Sequence, residues 1–119
     1  MLERLKTRRQ FLMVAAKNRK WVTRGILLQL APRPADEQPV TPGPRYGLTV
    51  SKRVGNAVVR NRARRRLRAA AEEILPRCGM TSFDYVLIGR KETPARDFAS
   101  LKQDLETGLQ NLDAFRAEF

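Results

Sequence analysis

The sequence contains no histidine, and only one of its 119 residues, Cys78, is a cysteine. Without histidine, a nuclease that uses imidazole for acid–base chemistry is excluded. A single cysteine cannot form an intramolecular disulfide or a Cys/His zinc site, which favours a reduced, cytoplasmic setting without a disulfide partner. We expect Cys78 to be a small, semi-buried packing residue.

Long apolar runs and acidic clusters are also missing. No run approaches the roughly 20 residues that span a bilayer, and residues 1–20 lack the small-residue cleavage site of a signal peptide. The twelve carboxylates are scattered, with no compact cluster for two metal ions and no glycine-rich phosphate loop nearby. We therefore expect no membrane partner, no catalytic residue, and no cofactor or metal bound by the protein alone.

Positive charge is what the chain has in excess. Its 24 lysines and arginines face 12 acids, giving a net charge of +12 and a pI near 11.2. So large a net positive charge is typical of proteins that bind a polyanion. Nucleic acid is the first candidate, and an anionic membrane surface is the second. The length and the apolar fraction of 42% predict one folded RNA-binding domain over residues 1–119.

The first half of the chain predicts a helix and two strands. Thr7 and Gln10 have the spacing of a capping box, which predicts a helix over "TRRQFLMVAAKN". "WVTRGILLQLA" is an apolar run of strand length, with Gly25 as a bulge or bend. Residues 31–45 contain five of the seven prolines and predict a loop. "YGLTVSK" then alternates as a strand does, with Gly47, Thr49 and Ser51 on a small, polar face.

The second half predicts a long helix, a strand and a last helix. Asn56 caps the long helix, which we expect to end at Leu75 before Pro76, ahead of a loop over "PRCGMTS". "FDYVLIGRK" is a central strand, and Thr93-Pro94 opens the last helix. The expected fold is α+β, a two-layer α/β sandwich in the order α-β-β-α-β-α, with a mainly antiparallel sheet of four strands or fewer. The long helix has an apolar stripe made of Val59, Ala63, Leu67, Ala70 and Ile74. The stripe of the last helix consists of Phe98, Leu101, Leu105 and Leu112.

Six arginines lie within the nine residues from Arg60 to Arg68, and no acid occurs anywhere between residues 38 and 71. A helical projection places Arg60, Arg64 and Arg68 in a row beside the apolar stripe, Asn61 and Arg65 outward, and Arg62 and Arg66 on the opposite flank. The arginine side chain binds phosphate bidentately and stacks on bases, and Asn61 can read a base edge or a 2′-hydroxyl. A solvated face normally mixes charges of both signs, so this pattern predicts an RNA-binding surface.

Residues 47–68, "GLTVSKRVGNAVVRNRARRRLR", closely resemble the signature of the bacterial ribonuclease P protein subunit family. The resemblance implies an accessory subunit of an endoribonuclease whose RNA subunit carries the catalysis. Its implied partners are that catalytic RNA and precursor tRNA, whose 5′ leader is removed with Mg²⁺ in the RNA-containing holoenzyme. It also implies a left-handed βαβ crossover, similar to a domain of a small-subunit ribosomal protein, and a leader-binding cleft between the first helix and the sheet.

The resemblance assigns roles to individual positions of this chain. The residues expected to bind the catalytic RNA are Arg60, Asn61, Arg62, Arg64, Arg65, Arg68, Lys52 and Arg53. Those expected in the leader cleft are Phe11, Ala15, Gln29, Thr49, Ser51 and Arg90. Ala15 and Gln29 stand where the family often has an aromatic residue and a tyrosine, so we expect weaker or differently arranged stacking of the leader.

Two alternatives stay open. A structural RNA-binding protein of ribosomal type, without a role in cleavage, fits the composition equally well, and only residues 47–68 separate the two. A membrane-surface protein would need bulky apolar residues on its basic helix, where this chain has mostly Ala, Val and Leu. The cations of the first helix and its approach (Arg4, Lys6, Arg8 and Arg9) either form a solvated turn or contact phosphates.

Overall fold

A computed structural model describes residues 2–35, 37 and 43–114. Its strands are β1 (Glu3–Arg4), β2 (Lys20–Val22), β3 (Ile26–Pro32), β4 (Arg45–Thr49) and β5 (Phe83–Gly89). Its helices are α1 (Arg8–Ala16), α2 (Ala57–Cys78) and α3 (Phe98–Asn111), with a 3₁₀ turn at Lys52–Val54 before α2. None of these helices is long and apolar enough to cross a membrane.

The five strands form one sheet in the order β1-β4-β5-β3-β2. Strands β1, β4 and β5 run parallel, while β5–β3 and β3–β2 are antiparallel, so ten residue pairs are antiparallel and seven are parallel. The predicted α+β class is confirmed, with β5 central. The order of the elements is β-α-β-β-β-α-β-α and not the expected α-β-β-α-β-α, so the sheet has five strands, more than the expected four or fewer. Strand β1 has only two residues, too few for any alternation to show in the sequence. Strand β4, helix α2 and strand β5 form a crossover between parallel strands. That this crossover is left-handed stays a prediction from the resemblance.

The apolar run expected to be one strand is a hairpin. Strands β2 and β3 pair with each other, and Thr23 closes the turn between them by donating from its Oγ1 to the Ile26 carbonyl, 2.8 Å away. Gly25 is in this turn because α3 packs closely there, and a Cβ at residue 25 would lie 2.7 Å from Asp104 Oδ2. The predicted bend at Gly25 is therefore a reversal of the chain.

Helix α2 passes through Pro76 and ends at Cys78, so the expected end at Leu75 is wrong and "PRC" is helical. A proline in the last turn removes only its own helical N–H bond, and the Gly79 N–H closes the end by donating to the Leu75 carbonyl at 2.8 Å. Cys78 packs in the core as expected, at 5% exposure.

Helix α3 begins at Phe98, and its cap is Asp97, whose carboxylate accepts from the Ser100 N–H at 3.1 Å. The expected start at Thr93-Pro94 is wrong. Thr93 is fully buried and donates from its Oγ1 to the Gly25 carbonyl at 2.6 Å, which ties the turn after β5 to the β2–β3 hairpin. Thr93 therefore makes a tertiary contact and does not cap α3.

The sheet is covered on both faces. One face packs against α2 and α3 in a core that contains most of the large buried side chains. Helix α1 lies on the other face, where Val14 packs with Leu5, Ala31 and Val86. The expected two layers thus become three where α1 covers the sheet. The loop expected over residues 31–45 is shorter, because Ala31 and Pro32 belong to β3 and Arg45 to β4; residues 36 and 38–42 lie outside the described residues.

A buried ion-pair cluster joins α1, the sheet and the Pro-rich segment. The guanidinium of Arg45, 3% exposed, donates to both oxygens of Asp84 at 2.9 and 2.6 Å. A further bond of 2.9 Å from Arg45 to Glu37 lowers the pKa of the Glu37 carboxyl. Gln10 of α1 donates to the same carboxylate at 3.2 Å. The cluster therefore fixes the position of α1 on its face of the sheet.

Candidate nucleic-acid interface

The rotation of α2 is set by its apolar stripe. Four of the five predicted residues, Ala63, Leu67, Ala70 and Ile74, are buried in the core, and Val59 is half-buried. Asn56 caps the helix by accepting from the Val59 N–H at 3.0 Å. Because the stripe is buried, the arginines between its members cannot turn inward.

The outward surface of α2 is strongly cationic. Asn61, Arg65 and Arg68 are exposed, while Arg60 and Arg64 are half-buried beside the stripe. We call these five residues the arginine face. Within the described part of the chain none of its arginines forms a salt bridge with a carboxylate.

The hydrogen bonds of the arginine face go to neutral acceptors. Arg64 donates to the Asn61 side-chain oxygen at 3.2 Å and to the Val50 carbonyl at 3.5 Å. Glu72, one turn beyond Arg68, accepts from the Tyr46 hydroxyl at 2.5 Å. Burial and this bond to Glu72 raise the pKa of Tyr46. The nearest acid on the helix row is therefore bound to a core tyrosine.

Two of the six arginines, Arg62 and Arg66, bind the segment between β5 and α3. Arg62 Nε donates to the Pro94 carbonyl at 2.8 Å, and Arg66 donates to the carbonyls of Thr93 and Arg96. Arg62 is still exposed, so the role in RNA binding expected for it stays a prediction beside this structural contact. Arg66 tethers the turn before α3, a role that sequence reasoning missed because no local pattern shows where that turn lies.

The predicted residues of the leader cleft fall into two groups. Phe11 and Thr49 line a cavity of about 360 Å³ with Arg8, Arg64 and the strand residues Leu48 and Val50; we call it the near cavity. Ser51 and Arg90 line a cavity of about 790 Å³ with Arg53; we call it the far cavity. Lys52 is exposed beside it, in the 3₁₀ turn.

One row of side chains connects the two cavities. Thr49 pairs with Ile88, Ile88 with Leu27, and Leu27 with Val22, so these four lie on the same sheet face across four strands. Three strand spacings make this row about 14 Å long. The face is the one that α1 covers in part, since Ile88 packs with Val86 beneath the helix. We call this row with its two cavities the cross-sheet cleft.

Cations stand at both ends of the cross-sheet cleft. Arg8 and Arg64 line its near end, and Arg53, Arg90 and Lys91 line its far end together with the ion pair between Arg24 and Glu92. Arg90 is exposed and anchored, because its Nη1 donates to the Thr23 carbonyl at 2.5 Å. An apolar floor between two cationic ends suits a strand whose bases and phosphates alternate in contact.

Ala15 and Gln29 are not among the residues that line either cavity. Ala15 is exposed on α1, and Gln29 is half-buried in β3 beside Val86. The floor of the far cavity is aliphatic instead, made by Val22, Leu27 and Ile88. Sequence reasoning missed these three residues because their proximity follows from the register between strands.

Comparisons with known proteins show the family of this chain. The family model described as Ribonuclease P matches residues 2–113. The chain belongs to the ribonuclease P protein family. It is 48% identical to the "Ribonuclease P protein component" of Paramagnetospirillum magneticum over 97% of this chain and 86% of that protein. It is 45% identical to that of Gluconacetobacter diazotrophicus over 97% and 95%.

Solved structures of this family share the fold. The RNase P protein of Staphylococcus aureus has a TM-score of 0.72 at 22% identity, covering 98% of this chain and all of that one. The protein from Thermotoga maritima has a TM-score of 0.67 at 24% identity, covering 92% and 94%. Family membership makes this chain a subunit of an endoribonuclease of tRNA processing that works as a ribonucleoprotein.

The contact between Phe11 and Gly47 can be tested directly. A Cβ at residue 47 would lie 2.5 Å from both Cε1 and Cζ of the Phe11 ring. We expect Gly47→Ala to lower the free energy of unfolding by about 1–3 kcal/mol, because the ring must move off the strand. Urea unfolding of Gly47→Ala, Phe11→Ala and the double variant measures the effect, and the loss should be smaller when residue 11 is alanine. An equal loss in both backgrounds would show that the ring does not rest on this glycine.

Proposed function

We propose that the arginine face docks this chain on the catalytic RNA of ribonuclease P, and that the cross-sheet cleft holds the 5′ leader of precursor tRNA. The observation that supports docking is the burial of the apolar stripe of α2, which leaves Arg65 and Arg68 exposed without a carboxylate partner among the described residues. Lys52 and Arg53 extend the same charge toward the cleft.

Docking on RNA follows from the chemistry of the arginine face. Each guanidinium can bind a phosphate bidentately and releases counterions when it does. Four to six such contacts give a log–log slope of affinity against salt of roughly −3 to −5. Asn61, held by Arg64 at 3.2 Å, keeps its amide donors for a base edge or a 2′-hydroxyl.

Leader binding follows from the shape and charge of the cross-sheet cleft. The ring of Phe11 offers one stacking platform, worth about 1–3 kcal/mol per base in single-strand binding proteins. Beyond it the aliphatic floor gives contact area without further stacking, and the cations at the far end attract phosphates. Because the leader is present in the precursor and absent from mature tRNA, these contacts favour the substrate over the product.

In this proposal the RNA subunit carries the catalysis, and the protein contributes positioning. Mg²⁺ belongs to the RNA-containing holoenzyme, and the described residues bring together no group of three or more His, Cys, Asp and Glu side chains that could hold it. The protein acts in the cytoplasm, where precursor tRNA is made. The arginine face and the cross-sheet cleft bind and orient RNA through charge and stacking.

Reconstitution tests the proposed function. The purified chain is added to the RNA subunit of ribonuclease P at low magnesium, and cleavage of precursor tRNA at the 5′ end of the mature sequence is measured. We expect the chain to restore cleavage that the RNA alone does not support at that concentration. If the chain binds the RNA but leaves cleavage unchanged, the structural RNA-binding alternative is correct.

The stacking role of Phe11 is tested in the reconstituted holoenzyme. We expect Phe11→Ala to raise the Kd for leader-bearing precursor about tenfold and to leave the Kd for mature tRNA unchanged, because only the precursor carries the base that stacks. Leu12→Ala is the matched control, since Leu12 is the neighbouring residue on α1 and 53% exposed. An equal loss for precursor and mature tRNA would contradict the leader-binding role.

A further inference from the structure

The near cavity is lined by Arg8, for which the sequence leaves a solvated turn and a phosphate contact both open and to which the proposed function assigns no role. Arg8 is the first residue of α1, and Arg64 is in the second turn of α2, yet both line the same cavity of about 360 Å³. Phe11, Leu48, Thr49 and Val50 line the rest. Two guanidinium groups therefore approach one small volume from two different helices.

The position of Arg8 is electrostatically costly without an anion. The N-terminal end of a helix carries partial positive charge, so a cation in the first turn is unfavourable, and the first turn of α1 holds no acid. Within the described part of the chain no carboxylate pairs with either Arg8 or Arg64. A bound anion would offset the repulsion between these two cations.

The next residue, Arg9, shows a different environment. Hydrogen bonds from Arg45 and Gln10 lower the pKa of Glu37, and the charge of Arg9 lowers it further. Arg9 is not among the residues of the near cavity. Arg8 and Arg9 are both exposed cations in the first turn of α1, but only Arg8 lines the near cavity.

The residues that line the near cavity suit a nucleotide better than a free anion. A phosphodiester can accept from two guanidinium groups at once, and its base can stack on the adjacent Phe11 ring. The carbonyl of Val50 and the side-chain oxygen of Asn61 both accept from Arg64, which orients its guanidinium. The hydroxyl of Thr49 supplies a further donor at the exposed strand end.

We propose that Arg8 and Arg64 jointly bind a single phosphodiester of the leader in the near cavity. This inference rests on the proposed function, since it requires the leader to lie in the cross-sheet cleft. One leader linkage would then contact both α1 and the helix that docks on the catalytic RNA. Arg8 would be a binding residue specific to the precursor.

The first experiment compares Arg8→Ala with the matched control Arg9→Ala in the reconstituted holoenzyme. We expect Arg8→Ala to raise the Kd for leader-bearing precursor about five- to tenfold and to reduce the salt slope by about 0.7, the value for one single-strand phosphate contact. Affinity for mature tRNA and for the catalytic RNA should stay unchanged. Arg9→Ala should change each of these less than twofold.

A second experiment identifies the phosphate. Leader linkages are replaced one at a time by neutral methylphosphonates, and the Kd is measured with the wild-type protein and with Arg8→Ala. We expect one linkage whose neutralisation weakens binding to the wild type and has a smaller effect on Arg8→Ala, in which only Arg64 still contacts that phosphate. If Arg8→Ala matches Arg9→Ala, or if every linkage adds its loss to that of Arg8→Ala, the inference is wrong.

Failure of this inference can be told from failure of the proposed function. Shortening the leader to nothing should weaken binding to the wild-type holoenzyme if the leader lies in the cleft. When leader removal weakens binding and Arg8→Ala behaves like its control, only the joint phosphate site is refuted. When leader removal has no effect, the leader-binding function itself is refuted.

Discussion

The packing of the apolar stripe of α2 against the sheet is the contact on which the rest of the structure depends. Leu67 and Ile74 are almost fully buried, so the rotation of this 22-residue helix about its axis is fixed. With that rotation fixed, Arg65 and Arg68 must face solvent. Like charges three and four residues apart destabilise a helix, so tertiary packing has to stabilise this one. The same core therefore creates both the stability of α2 and its cationic surface.

The cleft depends on a second constraint, the seating of α1 on the opposite face of the sheet. The Phe11 ring lies directly over Gly47, where any side chain would collide with it. The neighbouring residue Gln10 donates a hydrogen bond to the Glu37 carboxylate, and Arg45 of β4 donates to the same carboxylate. The row from Thr49 to Val22 is exposed at its two ends, and its middle residues Ile88 and Leu27 are half-buried. The arginine face and the cleft meet at Arg64, which belongs to both, so under the proposed function the catalytic RNA would lie beside the leader.

The sequence predicted the features that follow from local periodicity and capping. The capping box at Thr7, the cap at Asn56 and the buried stripe of α2 are confirmed, since each is written in residues a few positions apart. Contacts set by tertiary structure were not predictable. The Gly25 reversal, the burial of Thr93 and the tether made by Arg66 all depend on where α3 packs. The aliphatic floor of the cleft depends on strand register, and β1 is too short to leave a pattern.

The central claim, that the outward arginines of α2 meet the catalytic RNA, is tested most directly by mapping arginine reactivity. The protein, free and bound to the RNA subunit of ribonuclease P, is treated with a dicarbonyl reagent that modifies guanidinium groups, and modification is quantified at each arginine by mass spectrometry. The account predicts strong protection of Arg65 and Arg68, with Arg24, at the far cavity, as reactive as in the free protein. Unchanged reactivity of Arg65 and Arg68 in the complex, or equal protection of all exposed arginines, would contradict it.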